Sequence, residues 1–297
     1  MNKKLIAFDL GGHNLRAALI DQKLNILQKK SERTVASRKL SDVIEQIKKL
    51  YQGLAKDTKL PISLSIPGYV KKDQTIACAP NFPQWINIKI IDQICQAMDL
   101  AIEQCHTLND ANAVMLAEQK LGNAQGINDC LYLGIGTGIG GAIVSDGQLL
   151  LGYDSMAGEL GHMSIQMDGP LCGCGNRGCI EAYISASALE AKHQKSLKVI
   201  ADQARKGEEA AQQVYHDLGK HLGVVIASLV NIFNPQRILL GGRVSRSKDL
   251  FENTMYEELK IRLKNHPGRD VEIMLAHLGD DAGMIGAAVG YFSKNKG

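Results

Sequence analysis

Apolar and polar residues alternate from the start of the chain. LIAFDL, RAALID and LNILQK each carry the two-residue period of a strand, and GGHN and the polar DQK separate them, which predicts a meander of three short strands. The period then changes: Val43, Ile47, Leu50 and Leu54 share one face of a helix over residues 41–55, and ISLSIPG at 62–68 returns to strand. VKKDQTIACAPNFPQW is polar and punctuated by proline, which predicts an extended loop facing a ligand. IIDQICQAMD predicts a short helix, and ANAVMLAEQKLG a second one whose N-terminus lies at Asn109 and Asp110.

DCLYLGIGTGIGGAIVSDGQLLLG repeats the opening as strand, glycine turn, strand, turn, strand. Beyond it the period is helical, with an apolar stripe of Val214, Leu218, Leu222, Val225, Leu229 and Phe233 that Asn234 and Pro235 end. RILLGG and VEIMLA predict two later strands, and DAGMIGAAVGYF a closing helix. The repeated strand–turn–strand pattern predicts two lobes of related topology, each presenting a glycine turn to one shared cleft. A length of 297 residues agrees with two lobes, since a single core seldom grows so large.

Hydrophobic content of 45% and charged content of 22% describe an ordinary globular chain. Net charge is +3 with the basic residues scattered, so the expectation is no nucleic-acid partner. No apolar run approaches bilayer length, and MNKKLIAFDLGG enters a strand pattern at once without a signal-peptide core, so the expectation is a cytoplasmic protein with no membrane partner and no helix-turn-helix ahead of the first strand. Cys78, Cys95, Cys105 and Cys130 stand singly in apolar or mixed surroundings, as buried free thiols do.

The densest chemistry is at His162 in GELGHM and Cys172, Cys174 and Cys179 in CGCGNRGC. Three thiolates and an imidazole are a complete tetrahedral set for a structural zinc ion, and the interposed glycines and Asn176 supply tight turns. A disulfide pair or unrelated buried thiols are the alternatives; ligand type and closeness favour zinc. Glu159 and Glu181 flank the set, so the metal would fix where they point.

Asp9-Leu10-Gly11-Gly12 and Gly136-Thr137-Gly138-Ile139-Gly140-Gly141 place glycine turns after strands. Such turns either aim successive N–H groups at a polyanion or serve as plain hairpin turns, and their pairing favours the first use. Neither is a Walker loop nor opens a helix. Asp9, a carboxylate beside such a turn, suits a hydrated magnesium ion. Asp110 reads either as a helix cap or as a general base in phosphoryl transfer, with Asn109 orienting the same substrate. Asn81, Glu159, His162 and Glu181 are the mixed donors and acceptors that read a polyhydroxylated molecule, and Trp85 is placed in core or loop packing.

DLGG, LNDANAVMLAE, LGIGTGIGGAIV, AGELGH, CGCGNRGCIEAY and LGDDAGMIGAA resemble, in this order, the motifs of the ROK family of repressors, open reading frames and sugar kinases. The resemblance spans residue 5 to about 290, and its most restrictive element is AGELGH with CxCGxxGCxE. It implies an α/β, actin-like, hexokinase-type ATPase fold of two ribonuclease-H-like lobes around a cleft, with a small lobe over 1–110 joined by a C-terminal helix at 282–297 and a large lobe over 111–281. It implies transfer of the γ-phosphoryl group of ATP, with magnesium, to a sugar hydroxyl. By motif, Asp110 is the catalytic base; Asn81, Asn109, Glu159, His162 and Glu181 contact sugar; His162, Cys172, Cys174 and Cys179 hold zinc. Asp9, Gly11, Gly12, Thr137 and Gly138 face ATP phosphates, and Gly241 and Gly242 form the adenosine-side turn. It further implies a homodimer or homotetramer. APNFPQW is similar to the glucokinase-like branch, while N-acetylmannosamine kinases share nearly every other motif. His13 departs from the usual Thr or Ser after DxGG, and Arg243 from a third glycine in LLGGRVS; Arg243 is expected to point to solvent.

Overall fold

A computed structural model describes residues 3–56, 58–267 and 270–294. It divides into two compact units: Met1–Gln125 with Leu151–Ala157 and His277–Gly297, and Gly126–Leu150 with Gly158–Ala276.

In the first unit β1 (Lys4–Leu10), β2 (Asn14–Asp21) and β3 (Ile26–Arg33) form the antiparallel meander that their alternation predicts. α1 (Leu40–Ala55) leads to β4 (Ile62–Ile66), which lies parallel to β1. Both faces of β1 are covered: Ile6, Phe8 and Leu10 pack with Val43, Ile47 and Leu50 of α1, whereas Leu5 and Ala7 pack with Met284, Ile285 and Ala288 of the closing helix, Ala282–Lys294. Residues 295–297 of that expected helix lie outside the described residues.

The segment expected as an extended loop, residues 70–85, contains β6 (Ile76–Cys78), which pairs with β5 (Tyr69–Val70) and β7 (Ile86–Ile88) at the segment's two ends in a small antiparallel sheet. Strands of two or three residues are too short to show alternation. Phe82 and Trp85 stack at 4.3 Å between ring centres and are fully buried, as core packing requires. After α2 (Ile90–Met98) comes β8 (Cys105–Asn109), parallel to β4, which the sequence pattern does not announce because His106 and Thr107 interrupt it. Their polarity is satisfied inside the fold: Thr107 Oγ1 donates to Leu64 O, and His106 Nδ1 lies 3.2 Å from Ser63 Oγ. Cys95 and Cys105, expected as free thiols, are joined by a disulfide, a pairing that residues on a helix and the following strand do not disclose in sequence.

α3 (Asp110–Leu121) also belongs to this unit, whose first segment runs on to Gln125 rather than stopping at residue 110. It crosses the closing helix so tightly that a Cβ on Gly286 would lie 1.7 Å from Ala113 O. Near its end Glu118 is fully buried, accepting N–H bonds from Asn123 (2.8 Å), His277 (2.8 Å) and Leu278 (2.9 Å). One carboxylate thus ties the end of the unit's first segment, at Asn123, to the start of its last, at His277 and Leu278. Glu118→Ala strands these donors and is expected to lower unfolding free energy by about 3 kcal/mol, read by urea denaturation, with Glu118→Gln losing less; wild-type stability in Glu118→Ala would refute the clasp.

The second unit repeats the strand plan. β9 (Cys130–Ile135) and β10 (Ile139–Ser145) form an antiparallel hairpin with β11 (Gln148–Leu149) at its edge. β12 (Arg237–Gly241) lies parallel to β9, and β13 (Glu272–Leu275) parallel to β12. α4 (Glu181–Ile184), α5 (Ala186–His193), α6 (Leu197–Arg205), α7 (Glu209–Phe233), α8 (Gly242–Ser245) and α9 (Glu252–Arg262) complete it. Leu131, Leu133 and Ile135 share a core with Leu218, Leu222, Val225 and Leu229, the stripe read from the sequence. α7 ends where Asn234 turns left-handed, at φ 43°. Among the described residues no helix is long and apolar enough to cross a membrane.

Candidate functional site

In the first unit the end of β1 carries Asp9. Its Oδ1 accepts from Ser65 Oγ at 3.1 Å and its Oδ2 from Arg16 Nη1 at 3.2 Å; Arg16 in turn reaches Asp280 at 3.3 Å. Burial is the largest influence and pushes the carboxyl above its ordinary range, with Arg16 and Ser65 pulling it back. Gly283 of the closing helix makes room for it, since a Cβ there would lie 2.5 Å from the carboxylate. The Gly11–Gly12 turn follows, closed by Gly11 N–H on Asn14 O at 2.8 Å. Thr34 braces it from the end of β3: its hydroxyl donates to Gly11 O at 2.7 Å and its N–H to His13 O at 2.9 Å. A hydroxyl therefore stands beside the turn where His13 offers none, but its proton is committed to Gly11.

Asn109 and Asp110 divide the work at the start of α3. Asn109 is the cap: Oδ1 accepts from Asn112 N–H at 3.0 Å, and Nδ2 donates to Gly68 O at 3.0 Å. One amide N–H and one lone pair remain for another partner. Asp110 is the first helical residue and accepts from Ala111 N–H at 2.8 Å, with its charge favoured by the helix N-terminus. Asn81 lies in the turn that Phe82 N–H closes on Ala79 O at 2.8 Å, and its side chain lies against Gly12, where a Cβ would come within 2.8 Å.

In the second unit the expected metal residues converge. One ligand atom from each of His162, Cys172, Cys174 and Cys179 lies within 4.8 Å of all the others. Cys174 Sγ and Cys179 Sγ are 3.7 Å apart, as are Cys172 Sγ and His162 Nδ1. A zinc ion with sulfur at about 2.3 Å in a tetrahedron asks for S···S edges of about 3.8 Å, so the donor set fits the ion in type, number and spacing. With protein alone around it, burial pushes the Cys172 thiol up to about 12; a bound cation is what such a thiol needs to ionise. The loop is folded by its own backbone: Cys172 N–H reaches Asn176 O at 2.8 Å, Gly175 N–H returns to Cys172 O at 3.0 Å, and Gly178, at φ 72°, passes so near Gln166 O that only glycine fits.

The flanking acids differ in their surroundings. Glu159 Oε2 is 4.0 Å from His162 Nε2, the ring nitrogen left over when Nδ1 faces the cysteines, and burial raises the Glu159 carboxyl while His162 opposes it. Glu181, expected only as a sugar contact, is also a brace. Its Oε2 accepts from Ile139 N–H at 2.7 Å and sits where a Cβ on Gly138 would be, while Oε1 lies 3.6 Å from Cys172 Sγ. The Gly136–Gly138 turn is pinned again from α5, whose Ala186 N–H donates to Gly136 O at 2.8 Å and Ser187 N–H to Thr137 O at 3.4 Å. At the end of β12, Gly242 takes φ 81° with Ile135 O where a side chain would begin. Arg243 is exposed to solvent, as expected, and its guanidinium pairs there with Glu190 at 3.1 Å.

The structure thus places Asp9, Gly11, Gly12, Asn81, Asn109 and Asp110 in the first unit, and Thr137, Gly138, Glu159, His162, the three cysteines, Glu181, Gly241 and Gly242 in the second. Sequence reasoning missed Thr34, Glu118 and the brace role of Glu181, because each acts on backbone groups that no spacing rule marks.

The sequence matches the ROK family over residues 5–291. It is 31% identical to a glucokinase from Thermotoga maritima, covering 96% of each chain, and 30% identical to an N-acetylmannosamine kinase from Citrobacter koseri, covering 96% and 97%. A xylose repressor from Bacillus subtilis is 31% identical over 76% of this chain and 59% of its own. A ROK family glucokinase from Streptomyces griseus, solved in complex with glucose and AMPPNP, matches with a TM-score of 0.81 at 28% identity, covering 96% and 98%. The mixed α/β units are those of the actin-like ATPase fold found in ROK sugar kinases. From its first strand to its closing helix, the chain belongs to the ROK family.

Proposed function

We propose that this chain is an ATP-dependent sugar kinase that phosphorylates the 6-hydroxyl of a hexose, with glucose first among acceptors. The observation that carries the reading is the start of α3, where Asn109 is the cap and the carboxylate of Asp110, the first helical residue, stands beside it with Ala111 N–H donating to Oδ1. A repressor or sugar sensor needs no such carboxylate. In the reaction Asp110 accepts the proton of the sugar hydroxyl, the oxygen bonds to the γ-phosphorus, the β–γ bridging bond breaks, and ADP leaves with its electron pair. Asn81, Asn109, Glu159, His162 and Glu181 are the sugar-reading set. The Gly11–Gly12 and Thr137–Gly138 turns face phosphates, and Gly241–Gly242 the adenosine.

Magnesium bound with the nucleotide would neutralise phosphate charge; Asp9, whose carboxylate is oriented by Arg16 and Ser65, is the residue that would hold it. Zinc at His162, Cys172, Cys174 and Cys179 is structural, its four positions filled. A cytoplasmic homodimer or homotetramer with no DNA or membrane partner completes the reading. N-acetylmannosamine or N-acetylglucosamine is the competing acceptor, a choice that the 30% and 31% identities leave even. The test is coupled ADP release with Mg-ATP across glucose, N-acetylglucosamine, N-acetylmannosamine, mannose and fructose. Turnover highest with glucose is expected; a higher rate with an N-acetyl sugar overturns the glucose assignment, and none with any sugar overturns the kinase.

A further inference from the structure

Arg38 lies outside every motif and glycine turn, yet it ties two candidate regions together. Nη1 donates to the backbone carbonyl of Asn81 at 3.1 Å and Nη2 to that of Gly12 at 3.1 Å. Those residues also touch directly, since the Asn81 side chain fills the space where a Gly12 Cβ would be. Arg38 itself is held left-handed, at φ 52°, with its N–H on Val35 O at 3.1 Å. With Gly12, His13, Thr34, Pro83 and Gln84 it lines a cavity of about 760 Å³ in the first unit. A planar guanidinium can span two carbonyls at once; an ammonium is a point donor on a flexible stem.

We infer that Arg38 is a positioning residue that makes the Gly11–Gly12 turn and the Asn81 segment one rigid piece, so that nucleotide bound at the turn sets Asn81 for the sugar. The inference rests on the kinase reading above for what binds there. It predicts coupling between the two ligands through a residue bonded to the backbone of both regions.

Trp85, the only tryptophan in the chain, closes the turn that directly follows the one holding Asn81, and stacks on Phe82, the residue next to Asn81, so it reports on that segment. In the full-length wild-type protein, AMPPNP should change Trp85 emission and tighten glucose binding several-fold. Arg38→Ala should abolish the emission response and raise KM for glucose about tenfold while kcat falls less. Added guanidinium ion should restore part of that loss, whereas Arg38→Lys should not. A general loss of stability would move neither the guanidinium response nor the split between KM and kcat in this way. Wild-type KM with an intact Trp85 response in Arg38→Ala overturns the inference. If Arg38→Ala does not fold, the same result in Arg38→Lys overturns it. A wild-type protein that releases no ADP with any sugar defeats the kinase reading separately, while the presence or absence of a nucleotide response at Trp85 still decides for or against Arg38.

Discussion

Asp110→Asn is expected to lower hexose-dependent ADP release by about a hundredfold to ten-thousandfold, the usual worth of a positioned general base, while sugar still binds. The substitution is nearly isosteric. An asparagine Oδ1 can keep the bond from Ala111 N–H, and the cap at Asn109 does not involve residue 110, so α3 should start where it does now. What disappears is the basic lone pair that takes the hydroxyl proton. The loss should therefore fall on kcat, with KM for sugar changed little, the signature of an interaction made only in the transition state. Asn109→Ala should behave differently: losing the cap costs about 1 kcal/mol of stability and lets the helix start shift, so KM and kcat both suffer. An Asp110→Asn enzyme that turns over at the wild-type rate would remove Asp110 as the base.

The contrast between these neighbours shows where sequence reading stops. A helix start at Asn109 and Asp110 is visible in LNDANAV, because a cap residue and an acid precede an apolar run. Which of the two caps depends on one backbone dihedral, and there Asn109, extended at ψ 146°, takes the role. The two sheets are legible for a related reason: LIAFDL and CLYLGI alternate or run apolar over enough residues to show their period. The small sheet around Ile76–Cys78 is not, since its strands are shorter than the period needs. Glu118 reads as one more surface acid in AEQKLG, and only tertiary placement makes it a buried clasp. The four residues proposed to hold zinc, by contrast, are written in residue type and closeness, which survive without any knowledge of the fold. Their consequence for the rest of the second unit was hidden, because it passes through Glu181 Oε2 to a single backbone N–H.

That link sets the largest structural effect. Metal analysis should find about one zinc per chain, and Cys174→Ser or prolonged chelation should remove it. Residues 172–178 are held by backbone bonds among themselves and by a few to residues 164–170, such as Ile165 N–H on Gly178 O at 2.9 Å, while Gly173 and Gly175 have open space around them. The ion's binding free energy is therefore folding free energy for this segment, and its loss should cost on the order of several kcal/mol, read as a lower Tm for the metal-free protein. The damage should reach both sides of the loop. Toward the sugar, His162 loses the ligand bond that fixes its ring and leaves Nε2 facing Glu159, so affinity should fall although no sugar contact has been altered. Toward the nucleotide, Glu181 begins two residues after Cys179 and braces Ile139 N–H and Gly138, so KM for ATP should rise as well. Glu181→Gln in zinc-loaded protein separates the routes: it should weaken the brace at the Gly136–Gly138 turn while leaving metal content unchanged. Protein that is free of metal yet fully active and equally stable would refute a structural zinc.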